Sequence, residues 1–221
     1  SAEIASNITA NNNVNITAGN GVTFTESANT ASNQGTAVNV GIGAGATINV
    51  ETGVAVPHVN GSVGVNKTDN ASSTATGANV AAGNDIKINA NNGDVNLHGT
   101  NLVSNNSVEV EGNKVNTSGA ISSVNEKNLT VNVNGSYASG KPNGGINAKG
   151  KNEANVTNTA NTIQSDNVVI TTGSPTGLSV NNTTINGNNV AYYYDDSKAP
   201  AANRYTYRSR QPSYAKRRLR Y

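Results

Sequence analysis

Glu109 and Glu111 flank Val110, and two carboxylates held this close are the first place to look for acid-base work on a sugar. On a strand, that spacing puts both on one side, as in a solvated face. Asp85 and Asp94 form a looser pair, and residues 1–190 contain no Arg to assist either one. His58 and His98 are the two histidines, and a metal site built on them would need carboxylates at matching positions. His98 follows Leu97 and faces outward by alternation, as an exposed polar residue. The stretch Gly41-Ile42-Gly43-Ala44-Gly45 has the look of a dinucleotide loop, but no helix follows it, so no helix terminus is there to cradle a phosphate. Glycine-rich calcium nonapeptides are absent, and Cys is absent altogether. The chain is therefore read as no enzyme: no catalytic, cofactor-binding or metal residue is expected, no cofactor, and no small-molecule substrate.

A different chemistry gathers at the far end. From Ala191 onward, six arginines and two lysines face Asp195 and Asp196, a net charge of about +6. Arg204, Arg208, Arg210, Lys216, Arg217, Arg218 and Arg220 are interleaved with Tyr205, Tyr207 and Tyr214. Guanidinium forks hold phosphate and tyrosines stack, so an anionic surface is the expected partner: lipopolysaccharide, teichoic acid or nucleic-acid phosphate. The opposing reading is a disordered soluble terminus. A further expectation is that residues 191–221 cap the preceding structure and block edge-to-edge growth.

What must position these residues follows from composition. Only 34% of the 221 residues are hydrophobic; Trp, Met and Cys are missing, and Phe24 is the single phenylalanine. A core, if present, is thin and built of Val, Ile, Leu and Ala, which suits strands. Asn is heavily over-represented, and it tolerates left-handed backbone and bonds its own backbone in turns. Asn-x-Ser/Thr sequons are frequent, as this composition makes them by chance.

Apolar residues come in pairs separated by one polar residue: Val14 with Ile16, Val22 with Phe24, Ile86 with Ile88, Val95 with Leu97, Val108 with Val110. Period two predicts strands, and the Asn, Gly and Asp clusters between the pairs keep them short. Three strand-turn units add up to a coil of about 20 residues, from Ile86 to Val108, the spacing of a β-solenoid. Coils stacked at about 4.8 Å would align small inward residues in ladders and let turn asparagines bond above and below.

The sequence also repeats at long range. Residues 13–17 match 107–111, and 37–41 fall near 130–134, at an offset of about 90; 84–88 align with 166–170, Leu97 with Val180 and Leu102 with Ile185 at about 80. Within each copy one stretch departs from the coil pattern. Ala37–Ala46 alternates with Gly and leads through a turn to 59–65, and residues 129–149 have the same plan around Lys141-Pro142-Asn143-Gly144-Gly145. These are read as hairpin excursions, with the Gly-rich alternation leaving one face bare.

The phrases Ile16–Thr25 (Ile-Thr-Ala-Gly-Asn-Gly-Val-Thr-Phe-Thr), Glu26-Ser27, Val38–Gly45 and Val80–Ile88 resemble the haemagglutinin repeats of filamentous haemagglutinins and of the related two-partner secretion exoproteins, including contact-dependent inhibition exoproteins. The resemblance covers most of residues 7–190. It implies a right-handed parallel β-helix (solenoid), and with the residue patterns above the expected fold is all-β, with hairpin excursions and a basic, Tyr-rich C-terminal tail. The expected division is 1–190 as β-helix, in two repeats (7–106 and 107–190), and 191–221 as tail. The resemblance further implies a secreted or cell-surface protein, exported through an outer-membrane two-partner transporter. Its implied role is adhesion to a receptor or glycan on a host or neighbouring cell. The alternatives are a stalk or translocation segment of a toxin-delivery exoprotein and, from another class, a carbohydrate-active β-helix enzyme. The Asn-Pro-Asn motif of the secretion domain is absent, and little chain follows Val190, so a segment of a longer exoprotein or a truncated relative is expected.

Overall fold

Alternation of one apolar and one polar residue gives strands of three to six residues over much of the chain, and the chain is all-β. The computed structural model describes residues 1–195. In chain order it runs through β1 (Ala2–Ile4), β2 (Ile8–Ala10) and β3 (Val14–Ala18) in a first pass. The second pass is β4 (Val22–Phe24), two long strands β5 (Ser27–Ile48) and β6 (Ala55–Thr76), then β7 (Asn79–Ala82) and β8 (Asp85–Ala90). A third pass holds β9 (Val95–His98), β10 (Asn101–Ser104) and β11 (Ser107–Gly112). The fourth is β12 (Val115–Ser118), long strands β13 (Ala120–Ala138) and β14 (Lys141–Thr159), β15 (Asn161–Gln164) and β16 (Asn167–Thr172). The fifth is β17 (Leu178–Val180), β18 (Thr183–Asn186) and β19 (Asn189–Tyr194). Strand β19 thus runs past Val190 into the stretch the sequence reading assigned to the tail.

Each pass contributes one short strand to each of three five-stranded sheets, ordered β1-β4-β9-β12-β17, β2-β7-β10-β15-β18 and β3-β8-β11-β16-β19. All the pairings given within these sheets are parallel and in register. The superpositions at about 90 and 80 residues have a structural meaning: β3 and β11, β8 and β16, β9 and β17, and β10 and β18 each lie two passes apart in one sheet. The second and fourth passes each carry a pair of long strands.

The chain forms two compact units. The first, residues 1–29, 74–122 and 157–195 of those described, contains the three parallel sheets. Its core is a set of ladders read directly from the register: Val14, Ile86, Val108 and Val168; Val22, Val95 and Val115; Val80, Leu102 and Ile163. These residues are almost wholly buried, while Asn96 and Asn116, between inward neighbours, are half-buried. Parallel stacking brings backbones so close at the corners that a Cβ at Gly83 would overlap the Asn11 carbonyl, and one at Gly77 the Gly99 carbonyl.

The second unit, Thr30–Ser73 with Ser123–Val156, consists of the long strands in the order β14-β13-β6-β5. Strands β6 and β13 pair antiparallel from Ser73↔Ser123 to His58↔Ala138. The turn between β13 and β14 is Ser139-Gly140, both with positive φ (53° and 74°), the two-residue turn whose twist suits a hairpin. Residues 141–145, where the sequence pointed to a turn, lie inside β14 instead, because the two positive-φ residues reverse the chain before Lys141.

Candidate interaction surface

Several charged groups of the first unit meet partners along the stacking direction. Lys87 Nζ donates to Glu109 Oε2 at 3.0 Å, between adjacent strands of one sheet. That hydrogen bond, with the Glu111 and Glu109 charges, raises the Lys87 pKa above its usual 10.5. Asp85 accepts from Ser107 Oγ and Asn106 Nδ2, each at 2.7 Å, and these bonds lower its pKa below 3.8. Glu109 and Glu111 therefore share a strand side with a lysine in attendance, an ion-paired face and not an acid-base pair with a cleft between its members. His98 is half-buried where exposure was expected, because its Nδ1 bonds Ser118 Oγ one pass on. His58 contacts Thr47 Oγ1 at 3.5 Å. Among the described residues, no group of three His, Asp or Glu side chains could hold a metal ion.

The asparagines account for the outward surface of the same unit. Asn79 Nδ2 donates to Asn7 Oδ1 (3.0 Å), Asn101 Nδ2 to Asn79 Oδ1 (2.7 Å), Asn116 Nδ2 to Asn96 Oδ1 (2.9 Å) and Asn189 Nδ2 to Asn167 Oδ1 (3.0 Å). A carboxamide donates on one side and accepts on the other, so a stack of them satisfies itself. At the corners Asn106, Asn113 and Asn188 cap Asp85, Asp94 and Asp166. A shallow depression lined by Ser104, Asn105, Gln164, Asp166, Asn186 and Asn188 has one carboxylate and no partner base.

Residues 59–193, more than half of the chain, match the sequence model of the family described as Hemagglutinin repeat. The chain belongs to the filamentous haemagglutinin repeat family. No curated protein and no solved structure matches it. The haemagglutinin repeat match begins inside β6 and ends inside β19, so it takes in long strands as well as short ones. Arg204, Arg208, Arg210, Lys216, Arg217, Arg218, Arg220, Tyr205, Tyr207 and Tyr214, the residues expected to meet an anionic partner, lie outside the described residues.

The second unit of the haemagglutinin repeat chain carries a surface that sequence reading did not assemble. Side chains of Ser62, Asn60 and His58 lie over Gly41, Gly43 and Gly45, and that of Asn132 over Gly64, which puts these residues on one face. Asn134 shares that side with Gly145. The opposite face therefore takes the intervening residues of all four strands. Its rows across the sheet are Val38, Val65, Val131 and Ala148; Val40, Val63, Val133 and Ile146; Ile42, Gly61, Gly135 and Gly144; Ala44, Val59, Tyr137 and Pro142. Val38, Val40, Ile42 and Ile146 are 60, 67, 85 and 77% exposed. The signal was present in the alternation Val38-Asn39-Val40-Gly41-Ile42-Gly43, where Gly and Asn drew attention to the bare face and the aliphatic face went unread.

Proposed function

We propose that this chain is a structural segment of a secreted bacterial surface filament that acts in adhesion, without enzymatic activity. The observation that carries the reading is the family match over residues 59–193, the same residues that supply most of the stacked parallel strands. Five passes feeding three in-register sheets support a right-handed parallel β-helix for the first unit, with hairpin excursions at β5–β6 and β13–β14. Two repeats, 7–106 and 107–190, each of two passes, are the units of growth. Export through an outer-membrane partner transporter, and a receptor or glycan on a host or neighbouring cell, follow from the family. Carboxylates tied to lysines and asparagines, with no Arg before residue 191, support a surface that presents side chains without transforming a substrate.

The tail's net charge of about +6 supports binding of Arg204, Arg208, Arg210, Lys216, Arg217, Arg218 and Arg220 to an anionic surface, with Tyr205, Tyr207 and Tyr214 stacking. Changing the six arginines to serine is expected to abolish retention on heparin at 0.15 M salt; unchanged retention counts against the tail.

Beads coated with the folded chain test the adhesive reading. They should attach to erythrocytes or epithelial cells, and soluble chain should block attachment. Attachment no better than that of beads carrying heat-unfolded chain, together with inhibition lost from a competition between neighbouring cells when the segment is deleted, would move the assignment to toxin delivery.

A further inference from the structure

Strand β5 is an edge of the four-stranded sheet, and among the described residues no strand pairs with its outer side. The Asn49 N–H donates to the Val54 carbonyl at 3.0 Å, which makes these two a hydrogen-bonded pair of the β5–β6 hairpin. Ser62, Asn60 and His58, lying over Gly41, Gly43 and Gly45, hold the same register down the strand. Odd-numbered residues of β5 therefore bond to β6, and even-numbered ones, Val38, Val40 and Ile42 among them, turn N–H and C=O outward. The strand is 22 residues long, exposed along nearly all of its length, and holds no charged residue and no Pro. The other edge, β14, carries Lys141, Pro142, Lys149, Lys151 and Glu153, residue types that keep an edge from pairing.

We infer that β5 pairs antiparallel with β5 of a second copy, about a two-fold axis that passes between the two Val40 residues, perpendicular to the sheet. The strand's own sequence sets this register. Val38 and Ile42 stand symmetrically about Val40, so the axis puts Val38 opposite Ile42 and one Val40 opposite the other. On the other face Asn39 meets Gly41, Ala37 meets Gly43 and Gly35 meets Gly45, with no bulk and no charge to oppose the pairing. Every even-numbered residue from Ser32 to Ile48 donates once and accepts once, about 18 hydrogen bonds between the copies. The perpendicular axis keeps both aliphatic faces on one side and both polar faces on the other. Contacts off the axis occur twice, as a closed dimer requires, and the guarded β14 strands become the outer edges of the joined sheet.

Sedimentation velocity of the full chain at tens of micromolar tests this, and a dimer is expected. Val40→Pro removes an outward N–H that a free edge does not use. It should raise the Kd of the dimer at least ~100-fold, with circular dichroism showing the strands retained. Val63→Lys, on the aliphatic face of β6, should leave the dimer unchanged, which separates edge pairing from contact between faces. With no native cysteine in the chain, Val40→Cys should form a covalent dimer on mild oxidation, its Cα about 5.5 Å from its counterpart. Ile48→Cys, whose counterpart lies far along the ladder, should not. A monomeric wild-type chain, a dimer that survives Val40→Pro or is lost with Val63→Lys, or equal cross-linking from residues 40 and 48 overturns the proposal. Oligomers that keep growing with concentration would set β5 against β14 of the next copy and overturn it as well.

Discussion

Asn161 is fully buried, and its amide is committed at both ends. Oδ1 accepts from the Thr100 backbone N–H at 2.7 Å, while Nδ2 donates to the Ser118 carbonyl at 2.8 Å and to Thr183 Oγ1 at 3.1 Å. It stands where the chain returns from β14 and ties three passes together there. Asn161→Ala leaves the backbone N–H of the wholly buried Thr100 without that acceptor, while the Ser118 carbonyl keeps the Gly99 N–H, and urea unfolding should show a loss of about 2 kcal/mol. A half-buried stacking residue such as Asn101, whose amide bond to Asn79 lies in reach of solvent, should cost less than about 1 kcal/mol by the same measurement. Nothing in the sequence separates these two, because in so Asn-rich a chain the buried amide has the same neighbours as the exposed ones. The carboxylate of Asp85 acts on pH. Its folded pKa is depressed, so its contribution is present above about 3.8 and is lost as pH falls through the lower folded value. Asp85→Asn should flatten the acid limb of the stability profile between pH 5 and pH 2, followed by thermal melts.

At the scale of elements, the short strands were legible, and the long ones only in part: hairpins were read at 37–65 and 129–149, but not their starts at Ser27 and Ala120. Val14 with Ile16, Ile86 with Ile88 and Val108 with Val110 alternate with polar residues because one side faces a core, and period two is the trace burial leaves. Strand β5 begins at Ser27, yet Ser27–Thr36 carries no such trace, since both sides of that stretch meet water and its backbone ladder asks nothing of its side chains. The Ser139-Gly140 turn was hidden for a related reason. The glycine-rich run after it looked more like a reversal than the two residues that make one. Burial also decides what substitution costs. Leu102 is wholly buried between Val80 and Ile163, and Leu102→Ala should lose about 3 kcal/mol in chemical unfolding. Ile146→Ala, at a residue 77% exposed, should lose less than about 0.5 kcal/mol.

Across the whole molecule, spacing in sequence and spacing in space part company. Asn7 and Asn79 bond across 72 residues, whereas Asn79 and Asn101 bond across 22, although each pair lies one strand apart in the same sheet. Insertion of the long strands makes the difference. A fixed-period search therefore blurs, while superposing whole copies succeeds, because a copy includes its own insertion. Strands remote in sequence stack in strict order, and spin labels measure that directly. With no native cysteine, Asn15→Cys and Ala191→Cys can be labelled cleanly. They occupy equivalent positions on the first and last strands of the sheet β3-β8-β11-β16-β19. Four strand spacings predict a narrow distance distribution near ~20 Å by pulsed electron paramagnetic resonance. A broad distribution lying mostly beyond about 35 Å would mean that the strands do not stack in this order.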